Sequence, residues 1–164
     1  MTIWGALAGG FVGTLVLTTM LRTASEFRLT RIDLPFLLGT ALTDDRKRAK
    51  ALGYLAHFGF GFLFALGYFA IFWAIGRSGW LLGAALGLAH GAFAGTALVN
   101  VLLPLVHPRM GDSMSAADTV ARLEPPGFLM MNYGRRTPIV VLVAHVAYGA
   151  IVGGFVAFSA TPTH

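Results

Sequence analysis

Three histidines carry most of the chemistry that this sequence offers. Each sits in the same local figure, an alanine, the histidine, two further residues and an aromatic: Ala56-His57 with Phe60, Ala89-His90 with Phe93, and Ala144-His145 with Tyr148. No charged residue stands beside any of them, so each imidazole must find a hydrogen-bond partner, a metal or a proton to carry. There is no cysteine, which removes disulfides, thiolate metal sites and iron–sulfur clusters together. The acidic residues Glu26, Asp33, Asp44, Asp45, Asp112, Asp118 and Glu124 all lie outside the apolar runs. Neither a zinc-protease helix motif, a nucleophile elbow, a phosphate loop nor a carboxylate pair occurs within such a run, so enzyme chemistry has little footing.

Depth along a helix sorts the histidines. At 1.5 Å per residue, His57 is expected about 10 Å beyond Lys50 and His145 about 10 Å beyond Thr137, at similar depth. Asn100, on a helix running the other way, falls near the same level, while His90 is expected about 15 Å further on. Three readings follow. In the first, His57, Asn100 and His145 exchange interhelical hydrogen bonds with Thr14, Thr18, Thr19 and Thr96, and nothing is bound. In the second, His57 and His145 ligate a haem b from both faces in an electron carrier, Gly59, Gly61 and Gly149 leaving room for the ring and Phe60 and Tyr148 packing on it. In the third, His90 relays protons in a small oligomeric transporter. A three-histidine copper or zinc site is disfavoured by the expected depth of His90 and the lack of a nearby carboxylate. At the mouth of the cluster, Arg31, Asp33, His107, Arg109 and Asp112 are candidates to meet a headgroup or ion, with local ion pairing as the plainer alternative.

The elements that must position these groups follow from composition. Apolar residues make up 56% of the 164 and charged residues only 12%, against about a quarter charged in soluble domains. Windows free of Asp, Glu, Lys and Arg run from Thr2 to Leu21, Ala51 to Gly76, Ser78 to Pro108 and Thr137 to His164. Each reaches the roughly 20 residues a spanning helix needs. Continuous apolarity, with no alternation, argues against a barrel. The expected fold is therefore an all-α integral membrane protein, a four-transmembrane-helix bundle in a single domain. Its helices are expected over about 3–22, 44–76, 79–106 and 138–160, joined by long connections at 23–43 and 107–137.

Charge sets the expected orientation. The long connections and their flanks hold every basic residue except Arg77. The positive-inside rule then places both connections in the cytoplasm and both termini, with the turn near Arg77, outside a bacterial cytoplasmic membrane. The first window has no basic stretch before it and Arg22 after it, so it is expected to remain as a helix and not to act as a cleaved signal. The pI near 10.2 does not point to nucleic acid, because the basic residues form no aromatic-interleaved patch on a soluble surface. Arg135 and Arg136 read as anchors to anionic membrane lipid.

Glycines recur at intervals of four: Gly5, Gly9 and Gly13; Gly53 and Gly61 on the track of His57; Gly83, Gly87, Gly91 and Gly95; Gly149 and Gly153 on the track of His145. Such tracks predict glycine-rich helix interfaces, and they also offer faces for a homo-oligomer or a partner membrane protein. Within the connections, "RIDLPFLLGTAL" predicts a short amphipathic segment lying on the membrane surface, and Gly127 to Tyr133 a second. Thr43 before Asp44 and Asp45 predicts the cap of the second spanning helix. Ser115 to Asp118, "SAAD", resembles a capping box, and Thr137-Pro138 predicts cap and first residue of the last helix.

The segments "LVHPRMG", "PGFLMMNYGRRTP" and "LVAHVAYGAIVGG" resemble those of small four-span bacterial inner-membrane proteins with an AHxxYG figure in the last helix. That resemblance spans most of the chain. It implies an inner-membrane protein and brings no activity, cofactor or catalytic residue with it.

Overall fold

The computed structural model describes residues 1–110 and 123–160. Four helical stretches are long and apolar enough to cross a membrane: Ile3–Glu26, Arg46–Ile75, Trp80–Val106 and Thr137–Phe158. At 1.5 Å per residue even the shortest exceeds the ~30 Å hydrocarbon thickness. The fold is an all-α four-helix membrane bundle. Among the described residues there is no β-strand, only an isolated bridge between Met110 and Leu123.

Helix α1 spans Ile3–Glu26, α2 is a short helix Leu34–Thr40, and α3 spans Arg46–Ile75. The third span is composite: α4 (Trp80–Phe93), a π-helical segment Ala94–Leu102 and α5 (Leu103–Val106). A 3₁₀ turn, Phe128–Tyr133, precedes α6, Thr137–Phe158. The π segment has a cause in sequence. Pro104 has no N–H to donate into the helix, and a spanning helix absorbs such a loss by local π adjustment or side-chain hydrogen bonds. Within the segment Asn100 adds side-chain hydrogen bonds, its Nδ2 donating to the carbonyls of Thr96 at 2.9 Å and Gly95 at 3.2 Å.

Glycine tracks set which helices touch. A Cβ on Gly83 would lie 2.1 Å from the Gly149 carbonyl oxygen, and one on Gly87 would lie 2.3 Å from that of His145. Backbone therefore meets backbone between α4 and α6, at a distance only glycine permits. On α1, Gly9 and Gly13 face α6 at Val152 and Tyr148, while Gly10 faces Ala65 of α3. The helices thus pack in the order α4, α6, α1, α3. Helices α3 and α4 scarcely meet along their backbones. Thr2, the end of α6 at Ser159 and the turn at Gly79 lie at one end, where Thr2 N donates to Ser159 Oγ and Gly153 abuts Gly79. The long connections lie at the other.

Several sequence expectations are corrected here. The cap of α3 is Asp45, whose Oδ1 accepts from Arg48 N at 2.7 Å, and not Thr43, which instead accepts from Asp45 N. The cap of α6 is Arg136 and not Thr137, which is the first residue of the helix, is buried, and bonds through its hydroxyl to that of Thr30 at 2.7 Å. The segment containing α2 is also packed on a spanning helix. Gly39 and Gly53 let α2 press against the start of α3, where a Cβ on either would collide with the other helix's backbone. The 3₁₀ turn also packs inward, burying Met130 and laying Leu129 against Gly95. The capping box predicted at Ser115 to Asp118 falls outside the described residues.

Candidate functional site

A cavity of about 160 Å³ lies inside the bundle at the end carrying the long connections. The structure brings all three histidines to it: His57 from α3, His90 from α4 and His145 from α6. Thr14 and Leu17 of α1 and Tyr148 of α6 form its back. Leu34 and Leu38 of α2, with Met130, floor it, while Ala94, Leu98 and Leu103 wall the side of the third span. On the rim stand Phe60 and Val106, both well exposed. The backbones of α3 and the third span stand apart, and the exposed rim residues Phe60 of α3 and Val106 of α5 put the opening of the cavity between those two spans.

The histidines differ in their partners. His145 is 5% exposed and its Nδ1 lies 2.8 Å from the Val141 carbonyl oxygen. A carbonyl only accepts, so Nδ1 carries the proton and donates. His90 Nδ1 lies 3.3 Å from the Tyr68 hydroxyl, and its ring stacks at 3.9 Å on Phe64. Those contacts bridge α3 to α4 on the side of the cavity away from the long connections. His57 is 7% exposed, and its Nε2 is the one buried side-chain polar atom among the described residues with no hydrogen-bond partner. A buried donor or acceptor left unpaired costs roughly 1–3 kcal/mol, so such an atom calls for an explanation.

The expected depth of His90 is corrected. Its ring centroid is 4.8 Å from that of His145 and 5.9 Å from that of Tyr148. Register between α4 and α6 is set by Gly87 against His145, and that register places His90 beside it. Counting residues from the end of each helix misjudged this, because the third span runs on well past the start of α6. The 3₁₀ turn fills the space left there, alongside the π segment.

Asn100 is not part of the site. Its amide is committed to the π segment and to the Gly127 carbonyl at 3.0 Å, tying the 3₁₀ turn to the third span. The threonines do not bond across helices either: Thr14, Thr18, Thr19 and Thr96 each donate to the carbonyl four residues back. Besides the Tyr68–His90 contact, an interhelical bond at the site comes from Tyr148, whose hydroxyl donates to the Gly61 carbonyl at 2.6 Å. Phe64 and Tyr68 escaped the sequence reading, although they follow His57 at the helical spacing of seven and eleven that marks one face.

The residues expected at the mouth do structural work. Asp33 caps α2, its Oδ1 accepting from Phe36 N. His107 is buried and its Nε2 donates to the Leu37 carbonyl at 3.0 Å, while its Nδ1 accepts from Arg109 N. Arg109 donates to the Thr40 carbonyl. Together they clamp α2 to the end of α5, beneath the cavity. Arg31 donates to the Asn132 carbonyl and pairs with Glu124 at 3.4 Å on the surface. Asp112 falls outside the described residues.

The residues present do not suit a porphyrin. Gly149 is filled by Gly83 and Gly87, Gly59 faces open space, and the rings of His90 and Tyr148 crowd His145. The cavity is also about half the ~300 Å³ at which cofactor pockets begin. Among the described residues no group of three His, Cys, Asp or Glu side chains is arranged to hold a metal ion. What remains is an apolar chamber with a side entrance and imidazole nitrogens inside. Comparison with protein-family models, with curated proteins and with solved structures found no match.

Proposed function

We propose that this membrane protein is a non-enzymatic binder of a lipophilic molecule, which enters from the bilayer through the opening between α3 and α4. The observation that carries this reading is His57 Nε2, unpaired in a buried cavity that opens sideways. Such an opening on a spanning bundle faces lipid and not water, so an occupant arrives along the membrane plane. A chamber of this size, like an engineered apolar cavity of about 150 Å³, takes one small ring, leaving any hydrocarbon tail in the bilayer. In the orientation expected from the basic residues, a bacterial cytoplasmic membrane holds the cavity in its inner half, with both termini outside. His90 is held between Phe64, Tyr68 and His145 as a wall of this chamber. No observation favours proton relay through it over that role.

Photolabelling tests the reading. A diazirine-tagged alkyl lipophile, irradiated with the protein in lipid nanodiscs, should concentrate its adducts on Phe60, Phe64, Leu98 and Leu103. Ala94→Phe, which fills the chamber, should remove those adducts and spare the lipid-facing labels on Leu15 and Leu63. Adducts spread evenly over the exposed helices, and unchanged by Ala94→Phe, would refute it.

A further inference from the structure

We infer that the occupant carries a hydroxyl-bearing ring on a hydrocarbon tail, its hydroxyl donating to His145 Nε2 and meeting His57 Nε2. This deepens the proposed function and rests on it. The decisive geometry is at His145. An uncharged imidazole has one N–H, and here it lies on Nδ1, donating to the Val141 carbonyl at 2.8 Å. The other ring nitrogen is therefore an acceptor, on a residue that lines the chamber. His57 contributes a second imidazole nitrogen, more than nine-tenths buried and without a partner. The Tyr148 hydroxyl on α6 cannot donate to His145 Nε2, because its proton is given to the Gly61 carbonyl, and it makes no bond to His57 Nε2. Thr14 likewise gives its proton to the Gly10 carbonyl.

A head that only accepts, such as a ketone or ether, leaves the His145 acceptor unpaired; a hydroxyl donates to it, and its oxygen accepts from His57 Nε2 in the tautomer that protonates that nitrogen. Size and walls favour a ring: about 160 Å³ admits one six-membered ring, between Phe60, Phe64 and Tyr148. Among the described residues no carboxylate, lysine or arginine lines the chamber, which argues for an uncharged head.

Competition against the diazirine label separates this claim from the reading beneath it. The competitors are 4-octylphenol and 4-octylanisole, which differ by the hydroxyl proton and a methyl group. The phenol should displace the label from wild-type protein at concentrations about five- to tenfold lower than the anisole, the worth of one hydrogen bond. His145→Leu should bring the two competitors level. Equal displacement in the wild type overturns the hydroxyl assignment while leaving a lipophile site. Failure of both to displace overturns the site itself. The wild-type comparison stands even if the variant does not fold.

Discussion

At the scale of single residues, His57 is the outlier. Its neighbours in the chamber each spend a polar atom within the protein: His145 on Val141, Tyr148 on Gly61, Thr14 on Gly10, His90 with Tyr68. His57 Nε2 spends nothing. An unpaired buried group destabilises the empty protein, and an apolar side chain of similar volume removes that cost. His57→Leu should therefore leave the ligand-free protein as stable as wild type or more so, by up to about 2 kcal/mol. Thermal unfolding in detergent, followed by circular dichroism, measures it. A marked loss of stability would mean that the imidazole has a structural partner, and the binding reading would lose its main support.

Among the elements, α2 and the 3₁₀ turn close the chamber from below, and neither is a spanning helix. Side chains hold both in place. His107 and Arg109 grip α2 through the carbonyls of Leu37 and Thr40. The turn is held by Asn100 on Gly127, by the Arg31 N–H on the Tyr133 carbonyl, and by the Tyr133 hydroxyl donating to the Glu124 carbonyl at 2.8 Å. Burial, aided by the Glu124 carboxylate and opposed by Arg31, pushes the Tyr133 phenol up to about 12. The folded state thus holds that proton more tightly than the unfolded chain, whose phenol titrates near ~10. Its contribution to stability is complete below pH ~10 and is lost as the pH rises towards 12. Amide exchange at Arg31, read relative to Val152 in the core of α6, should accelerate over that window in wild type. The acceleration should be absent in Tyr133→Phe; its persistence there would assign the loosening to another group.

For the whole molecule, the packing order leaves one edge of the bundle open. Three of the four possible neighbouring contacts are made through small residues, at Gly83 and Gly87 with α6, at Gly9 and Gly13 with α6, and at Gly10 with α3. At the fourth, Phe64 and Tyr68 reach His90 on one side of the chamber, and the space on the other side stays free. Thr2 and Ser159 meet at one end of the bundle, with Lys47 beyond the other. In the proposed orientation, Thr2→Cys and Ser159→Cys should react with an impermeant maleimide added to intact cells, and Lys47→Cys only after the membrane is opened. The reverse pattern would invert the topology and move the chamber to the outer half of the bilayer.

Much of this was legible in the sequence, and the boundary has a physical meaning. The four spans follow from long uncharged apolar runs, because a bilayer solvates little else. The glycine faces of α4 and α6 follow from Gly83, Gly87, Gly149 and Gly153, because only missing side chains let spanning helices approach backbone to backbone, whereas their pairing with one another came from the tertiary structure. That His57 and His145 should turn inward from lipid was also legible, since an imidazole in an apolar run is costly without a partner, and both line the cavity. Other features depended on contacts between distant segments. His90 joined His145 through a glycine register that residue counting from helix ends cannot provide. Asn100 went to Gly127, and Thr137 to Thr30, across gaps in sequence that no local pattern spans. Composition by itself determined the solvent, the helices and their faces, since those depend on each residue's own affinity for lipid and its period along the helix. Which nitrogen found a partner, and that one did not, was decided only in the tertiary structure, because hydrogen bonds depend on the relative rotation and register of helices far apart in the chain.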